Sequence, residues 1–257
     1  MILRAIVLAL FCAAVQFSRA AWVETAVRNE SSPAAGIVHR QIQLQDSETG
    51  ASATLDLALF SPKTSMLRVI DNPDGRLNLA DAMPAAGCLA GVNGGYFDPN
   101  FAPLGLRVVD GKTVKPLVRA RLLTGVLISS PGVTQILRVG EYSARRKAYS
   151  AVQCGPLLVD AGHPVRGLDA TRTARRTFAA VGSDHAALGL CSDVSLAQLS
   201  GLLAAARLGE DFRINRALNL DGGSSSAYWF KRGNGSVFSI SEMKNVRDFV
   251  GVVPKKD

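Results

Sequence analysis

The sequence predicts an α+β fold: a mixed, mainly antiparallel sheet with a few packed helices in a single domain. Three observations carry this. Short apolar runs bounded by turn residues recur from Gln41 onward, several of them are joined by tight turns, and one amphipathic helix is clearly delimited. Ala53 to Phe60 alternates, with Leu55, Leu57 and Leu59 on one face. Met66 to Ile70 follows and ends at the turn Asp71-Asn72-Pro73-Asp74-Gly75, so the two runs read as neighbours in a hairpin or meander. A short helix is expected over Leu79 to Ala86, broken near Pro84. Leu106–Val109 and Thr113–Leu117 flank Asp110-Gly111, and Val126–Ser129 and Val133–Val139 flank Pro131-Gly132, which gives two hairpins. Phe178–Val181 and Ala187–Cys191 flank a third turn at Gly182-Ser183-Asp184. Ser195-Leu196-Ala197-Gln198 has the form of a capping box. Leu196, Leu199, Leu202 and Leu203 recur at helical spacing and Gly209 supplies a stop, so a helix is expected over Leu196 to Leu208.

The chain has 257 residues, 47% hydrophobic and 19% charged, a composition that excludes intrinsic disorder and collagen-like structure. No repeat and no Pro- or Ser-rich linker divides it. Met1 to Ala20 reads as a secretory signal: Arg4 is the basic region, Ala5 to Val15 the apolar core, and Ser18-Arg19-Ala20 the small-residue cleavage site. That core is too short for a bilayer span, which takes ~20 residues. Phe11 before Cys12, inside the apolar core, argues against lipidation. A mature domain over residues 21–257, periplasmic or secreted and without a stable membrane anchor, is the expectation. Its 27 basic and 21 acidic residues leave a net +6. No interleaved basic and aromatic motif accompanies that charge, so nucleic acid is not an expected partner. Cys88, Cys154 and Cys191 remain after cleavage, and an oxidising compartment permits one bridge with one thiol left free. No C-x-x-C exists, which leaves structural zinc without support.

Two segments combine small residues with polar ones directly after an apolar strand. In Leu89-Ala90-Gly91-Val92-Asn93-Gly94-Gly95-Tyr96-Phe97-Asp98 the strand delivers Asn93; in Ala217-Leu218-Asn219-Leu220-Asp221-Gly222-Gly223-Ser224-Ser225-Ser226 it delivers Asp221. A Gly-Gly pair follows each, where the backbone can turn with φ > 0 and present successive N–H groups to an anion. Rival constellations are weaker. His39, His163 and His185 are the only histidines, and none has the context of a Ser-His-Asp hydrolase. Pro73 interrupts the calcium-loop pattern suggested by Asp71, Asn72, Asp74 and Gly75.

Five ordered motifs resemble one family: Asn93-Gly94-Gly95-Tyr96-Phe97-Asp98; Pro103-Leu104-Gly105 with Gly111; Gln153-Cys154-Gly155-Pro156-Leu157-Leu158; Arg176-Thr177; and Asn219-Leu220-Asp221-Gly222-Gly223-Ser224-Ser225. This is the phosphodiester glycosidase family, exported bacterial domains similar to the lumenal domain of the mannose 6-phosphate uncovering enzyme. The resemblance spans Leu55 to Val253. It departs at Ser224, where the family often has Gly, at Tyr96, where it has Phe, and at Phe178, where it has a small residue. What the resemblance implies is hydrolysis of a sugar 1-phosphodiester at the glycosidic C–O bond, with no cofactor and no metal. An oxocarbenium-like transition state calls for a carboxylate, for which Asp221 is the first candidate and Asp98 the second. Arg176 is expected to clamp phosphate oxygens, helped by N–H groups from Gly222 to Ser224, and Asn93 to orient a sugar hydroxyl or the phosphate. Gly94, Gly95, Tyr96, Phe97, Gly155, Thr177, Gly222, Gly223, Ser224 and Ser225 are the expected substrate-binding residues. The alternative is a non-catalytic module that holds a phosphorylated envelope glycan in the same cavity.

Overall fold

The computed structural model describes residues 22–205 and 212–255. The leader read over Met1 to Ala20 and the end of the helix expected to reach Leu208 lie outside them. Strands are numbered in chain order, and the pairs joining them are antiparallel. The first sheet runs β1 (Trp22–Ser31), β2 (Ile37–Asp46), β3 (Ser52–Phe60), β14 (Ala186–Val194), β13 (Ala174–Val181), β15 (Arg216–Asn219), β11 (Leu157–Asp160), β12 (His163–Pro164). The second runs β7 (Lys112–Lys115), β6 (Arg107–Val109), β10 (Ser150–Cys154), β8 (Gly125–Ser130), β9 (Val133–Arg138). The third runs β17 (Val237–Ile240), β16 (Tyr228–Lys231), β5 (Ala90–Asn93), β18 (Asp248–Pro254), β4 (Ser65–Asp71). With two helices among the described residues, α1 (Leu79–Ala85) and α2 (Leu196–Ala205), the weight of the α+β expectation falls on β. The reason is local: most connections are short turns with no room for a helix.

The three sheets meet at a core that includes Phe60, Val69, Val92, Val152, Leu188, Leu218 and Phe230. Strand alternation then supplies a second apolar face. Leu55 and Leu57 of β3 and Phe178 of β13 turn outward, where Leu199, Leu202 and Leu203 of α2 cover them. Each such side chain, fully buried, contributes roughly 1.5–3 kcal/mol. On the third sheet α1 does the same, with Leu79, Ala82 and Met83 packed against Trp229 and Phe249. Phe178, large where the family has a small residue, is accommodated by its cross-strand partner. Gly189 lies opposite it, and a Cβ there would fall 2.3 Å from the Phe178 ring.

Three hairpins stand where their turn residues put them. Asp110 and Gly111 both take positive φ, 45° and 79°, as the tight turn between β6 and β7 requires. The capping box is reciprocal: the Ser195 N–H donates to Gln198 Oε1 at 2.9 Å and the Gln198 N–H to Ser195 Oγ at 3.2 Å. Pro84 does not end α1 but sits in its last turn. β3 and β4, expected to pair, belong to different sheets, because β4 takes its register from β18 at the far end of the chain. The hairpin of β1 and β2 begins ahead of Gln41 and was not expected; β1 is an edge strand whose mostly polar residues are largely exposed.

The expected disulfide is also corrected. Cys88, Cys154 and Cys191 are free and buried, each in a different core cluster. Burial pushes each thiol up to about 12, which keeps all three protonated and inert. Thiol titration of the mature chain, unfolded in denaturant without reductant, should therefore count three groups. A count of one would mean a bridge and a different core.

Candidate active site

Strand β5 is buried along its whole length and carries Asn93 to the junction of the third sheet with the first. The Asn93 Nδ2 donates to the Asp221 carbonyl at 2.7 Å. Its Oδ1 accepts from the Thr177 hydroxyl at 2.7 Å and from the Ala227 N–H at 3.0 Å. Both side chains are fully buried. Asn93 and Thr177 thus tie β5, β13 and the Asp221 loop together, and the roles expected of them, orienting and binding substrate, do not fit amide and hydroxyl groups already occupied inside the protein.

Gly94 and Gly95 also differ from expectation: neither has positive φ. What they supply is space. A Cβ on Gly94 would fall 1.8 Å from Asp248 Oδ1, and one on Gly95 would fall 2.7 Å from Arg107 Nη2. The Gly94 N–H donates to the Asp248 carbonyl at 2.8 Å and the Gly95 N–H to Asp248 Oδ1 at 3.0 Å, while the Gly94 carbonyl accepts the Asp221 N–H at 3.0 Å. Asp248 in turn pairs with Arg107, Nε to Oδ2 2.8 Å, with both side chains wholly buried. Burial pushes the Asp248 carboxyl up, and Arg107 opposes this. Sequence reasoning missed this pair. The available signal was a lone charge of opposite sign in each of two apolar strand segments, Leu106–Val109 and Asp248–Val253.

Tyr96 turns its hydroxyl to the Gly155 carbonyl, donating at 2.7 Å, and accepts from Asn219 Nδ2 at 2.9 Å. Asn219 Nδ2 also reaches the Gly155 carbonyl, at 3.0 Å. Gly155 contributes this carbonyl and its lack of a side chain, since a Cβ would fall 2.2 Å from the Leu122 carbonyl. The hydroxyl that replaces the family's Phe edge is therefore anchored in the protein. Burial pushes the Tyr96 phenol up. Asp98, the second carboxylate candidate, accepts from the Asn100 and Ala102 N–H groups at 2.8 and 3.0 Å and so closes its own turn. Phe97 is half-buried beneath the Lys244 ammonium, 5.2 Å from the ring centre.

Asp221 follows β15 on a loop that continues into a single 3-10 turn, Gly223–Ser225. Burial pushes its carboxyl up, while Ser225, Lys244 and the Gly222 N–H favour the charged form. The Gly222 N–H donates to Asp221 Oδ1 at 3.0 Å, so it orients the carboxylate and is not free for an anion as expected. Gly223 takes φ +67°, the left-handed conformation expected of the second pair, and the N–H groups of Gly223 and Ser224 have no partner among the described residues. Ser224 is exposed and Ser225 buried.

Arg176 lies against this loop. A Cβ built on Gly222 would sit 3.8 Å from its Cδ and 3.9 Å from its Nη1. Its Nε donates to the Val194 carbonyl at 3.0 Å and its Nη2 to the Arg172 carbonyl at 2.6 Å. These bonds fix the guanidinium by one side and leave Nη1 unpartnered among the described residues. The residue is 9% exposed, its guanidinium forms no ion pair with a described carboxylate, and burial lowers its pKa. Arg176 is thus a buried cation held by neutral carbonyls beside the Gly222 backbone.

No curated protein matches the chain. Among solved structures it is similar to the catalytic domain of zebrafish N-acetylglucosamine-1-phosphodiester alpha-N-acetylglucosaminidase, auto-inhibited by its pro-peptide, at TM-score 0.62 and 18% identity over 91% of this chain and 89% of that one. It is similar to a hypothetical protein from Synechocystis at TM-score 0.63 and 15% identity over 90% of this chain. The chain spans 64% of that Synechocystis protein. At these identities the likeness is one of fold. The model of the phosphodiester glycosidase family matches residues 86–253, a stretch that begins before β5 and ends in β18. With Asn93, Gly155, Arg176 and Asp221 all inside that match, the chain belongs to the phosphodiester glycosidase family.

Proposed function

We propose that this protein is an exported hydrolase, periplasmic or secreted, that cleaves the glycosidic C–O bond of a sugar 1-phosphodiester. Water adds to the anomeric carbon, the bond from that carbon to the phosphate oxygen breaks, and the products are the free sugar and a phosphomonoester of the other alcohol. The observation that carries this reading is the placement of Arg176 against the loop that holds Asp221. The departing phosphate needs its charge bound more than it needs a proton, and Arg176 Nη1 with the Gly223 and Ser224 N–H groups is suited to that. Positive charge building on the sugar ring needs an anion, and Asp221 supplies one. Asn93, Thr177 and the Arg107–Asp248 pair are positioning residues that hold the loop. The export part rests on the leader pattern, and the reading calls for no cofactor, metal or nucleic acid.

Incubation with a panel of sugar 1-phosphodiesters tests the reading, with free sugar and phosphomonoester followed together. An N-acetylglucosamine 1-phosphodiester belongs in the panel because the zebrafish relative's name specifies that group. Arg176→Ala should raise KM as well as lower kcat, since an anion clamp acts on bound substrate and on the transition state alike. Binding of diesters with no turnover of any of them would support a non-catalytic glycan-binding module instead.

A further inference from the structure

A cavity lies next to the segment bonded to the same loop. Its volume is about 360 Å³, and it lies between Asn78 and Ala80, at the start of α1, and the segment Ser241–Asn245. Two bonds join its wall to the Asp221 site: the Met243 N–H donates to the Ser224 carbonyl at 2.8 Å, and Arg175 Nη1 donates to the Ser241 carbonyl at 3.2 Å. The lining is polar, with Asn78, Ser241 and Asn245 beside one acid and one base. These two charges are not equivalent. Glu242 Oε1 is occupied by the Leu79 N–H at 2.8 Å. Lys244 is exposed, lines this cavity, forms no ion pair among the described residues, and holds its ammonium 5.2 Å from the Phe97 ring centre. A diester bound with its sugar at Asp221 and its phosphate on Arg176 must place its second alcohol in a space next to this loop. A volume of 360 Å³ has room for about a dozen non-hydrogen atoms at ~30 Å³ each.

We propose that this cavity is the subsite for the alcohol part of the diester, and that Lys244 selects hydroxylated alcohols carrying a second anionic group. The inference rests on the functional reading above and names its substrate class. Two product-like phosphomonoesters test it by calorimetry: 3-phosphoglycerate and glycerol 3-phosphate, which differ by a carboxylate in place of a hydroxymethyl group. The intact protein should bind 3-phosphoglycerate about fivefold more tightly, the upper end for one exposed charge contact. In Lys244→Gln, at an exposed position where folding is not at stake, that preference should fall below about twofold with glycerol 3-phosphate binding nearly unchanged. Equal affinities in the intact protein, no binding of either ligand, or an equal loss of both in the variant would overturn the proposal; the last would put Lys244 on the shared phosphate. Because binding is read without turnover, a protein that shows the preference yet hydrolyses no diester keeps this subsite and loses the enzymatic reading.

Discussion

Asp221→Asn is expected to lower kcat by about 10³-fold, the scale of losing one preorganised electrostatic group, with KM little changed. The asparagine keeps the size of the side chain and an oxygen to accept the Gly222 N–H, so geometry survives and only the charge goes. Stability should move the other way. Burial raises the Asp221 pKa in the folded state, so the folded protein holds that proton more tightly than the unfolded chain. Its contribution to stability is present in full below the unfolded pKa and is lost as pH rises through the folded value; at neutral pH the ionised carboxylate is a cost, which the neutral amide removes. Asp221→Asn should then melt higher than the parent at pH 7 and show little difference at pH 3. In the parent, the acid limb of kcat/KM should fall above the usual carboxylate range of ~4. A variant that turns over at the parental rate removes Asp221 from the mechanism.

Asp248→Asn should destabilise the fold by about 3–5 kcal/mol, because it leaves the wholly buried Arg107 guanidinium without its counter-charge. The amide oxygen can still accept the Gly95 N–H, which confines the change to the ion pair. Adding Arg107→Met should recover most of the loss, since the remaining charge is then gone. Chemical denaturation of the two single variants and the double variant checks this; additive losses would mean that the two residues do not act as a pair. Activity should follow stability here, as the pair reaches Asp221 through the Gly94–Gly95 backbone.

What the sequence reveals follows the range of the interactions. Asp110-Gly111, Pro131-Gly132 and the Ser195 box act within a few residues, and the hairpins and α2 stand where those residues put them. β4 could not be placed this way, because its partner β18 lies at the other end of the chain and no local signal chooses it over β3. The two Gly-Gly pairs look alike in sequence, yet one is needed for proximity to Asp248 and the other for the positive φ at Gly223. Asn93 shows the same limit: a polar residue at the end of an apolar strand reads as a ligand, and here a hydroxyl, an amide and a carbonyl from two other segments occupy it. Arg176 and Asp221 were legible as residue types suited to the chemistry, while the carbonyls that hold Arg176 were not.

The central claim is that the bond broken is the one from the sugar to oxygen, and hydrolysis in water enriched in oxygen-18 tests it directly. Mass spectrometry of the products of a sugar 1-phosphodiester should find the label on the anomeric hydroxyl of the freshly released sugar, with the phosphomonoester unlabelled. Label in the phosphomonoester would show attack at phosphorus and contradict the account.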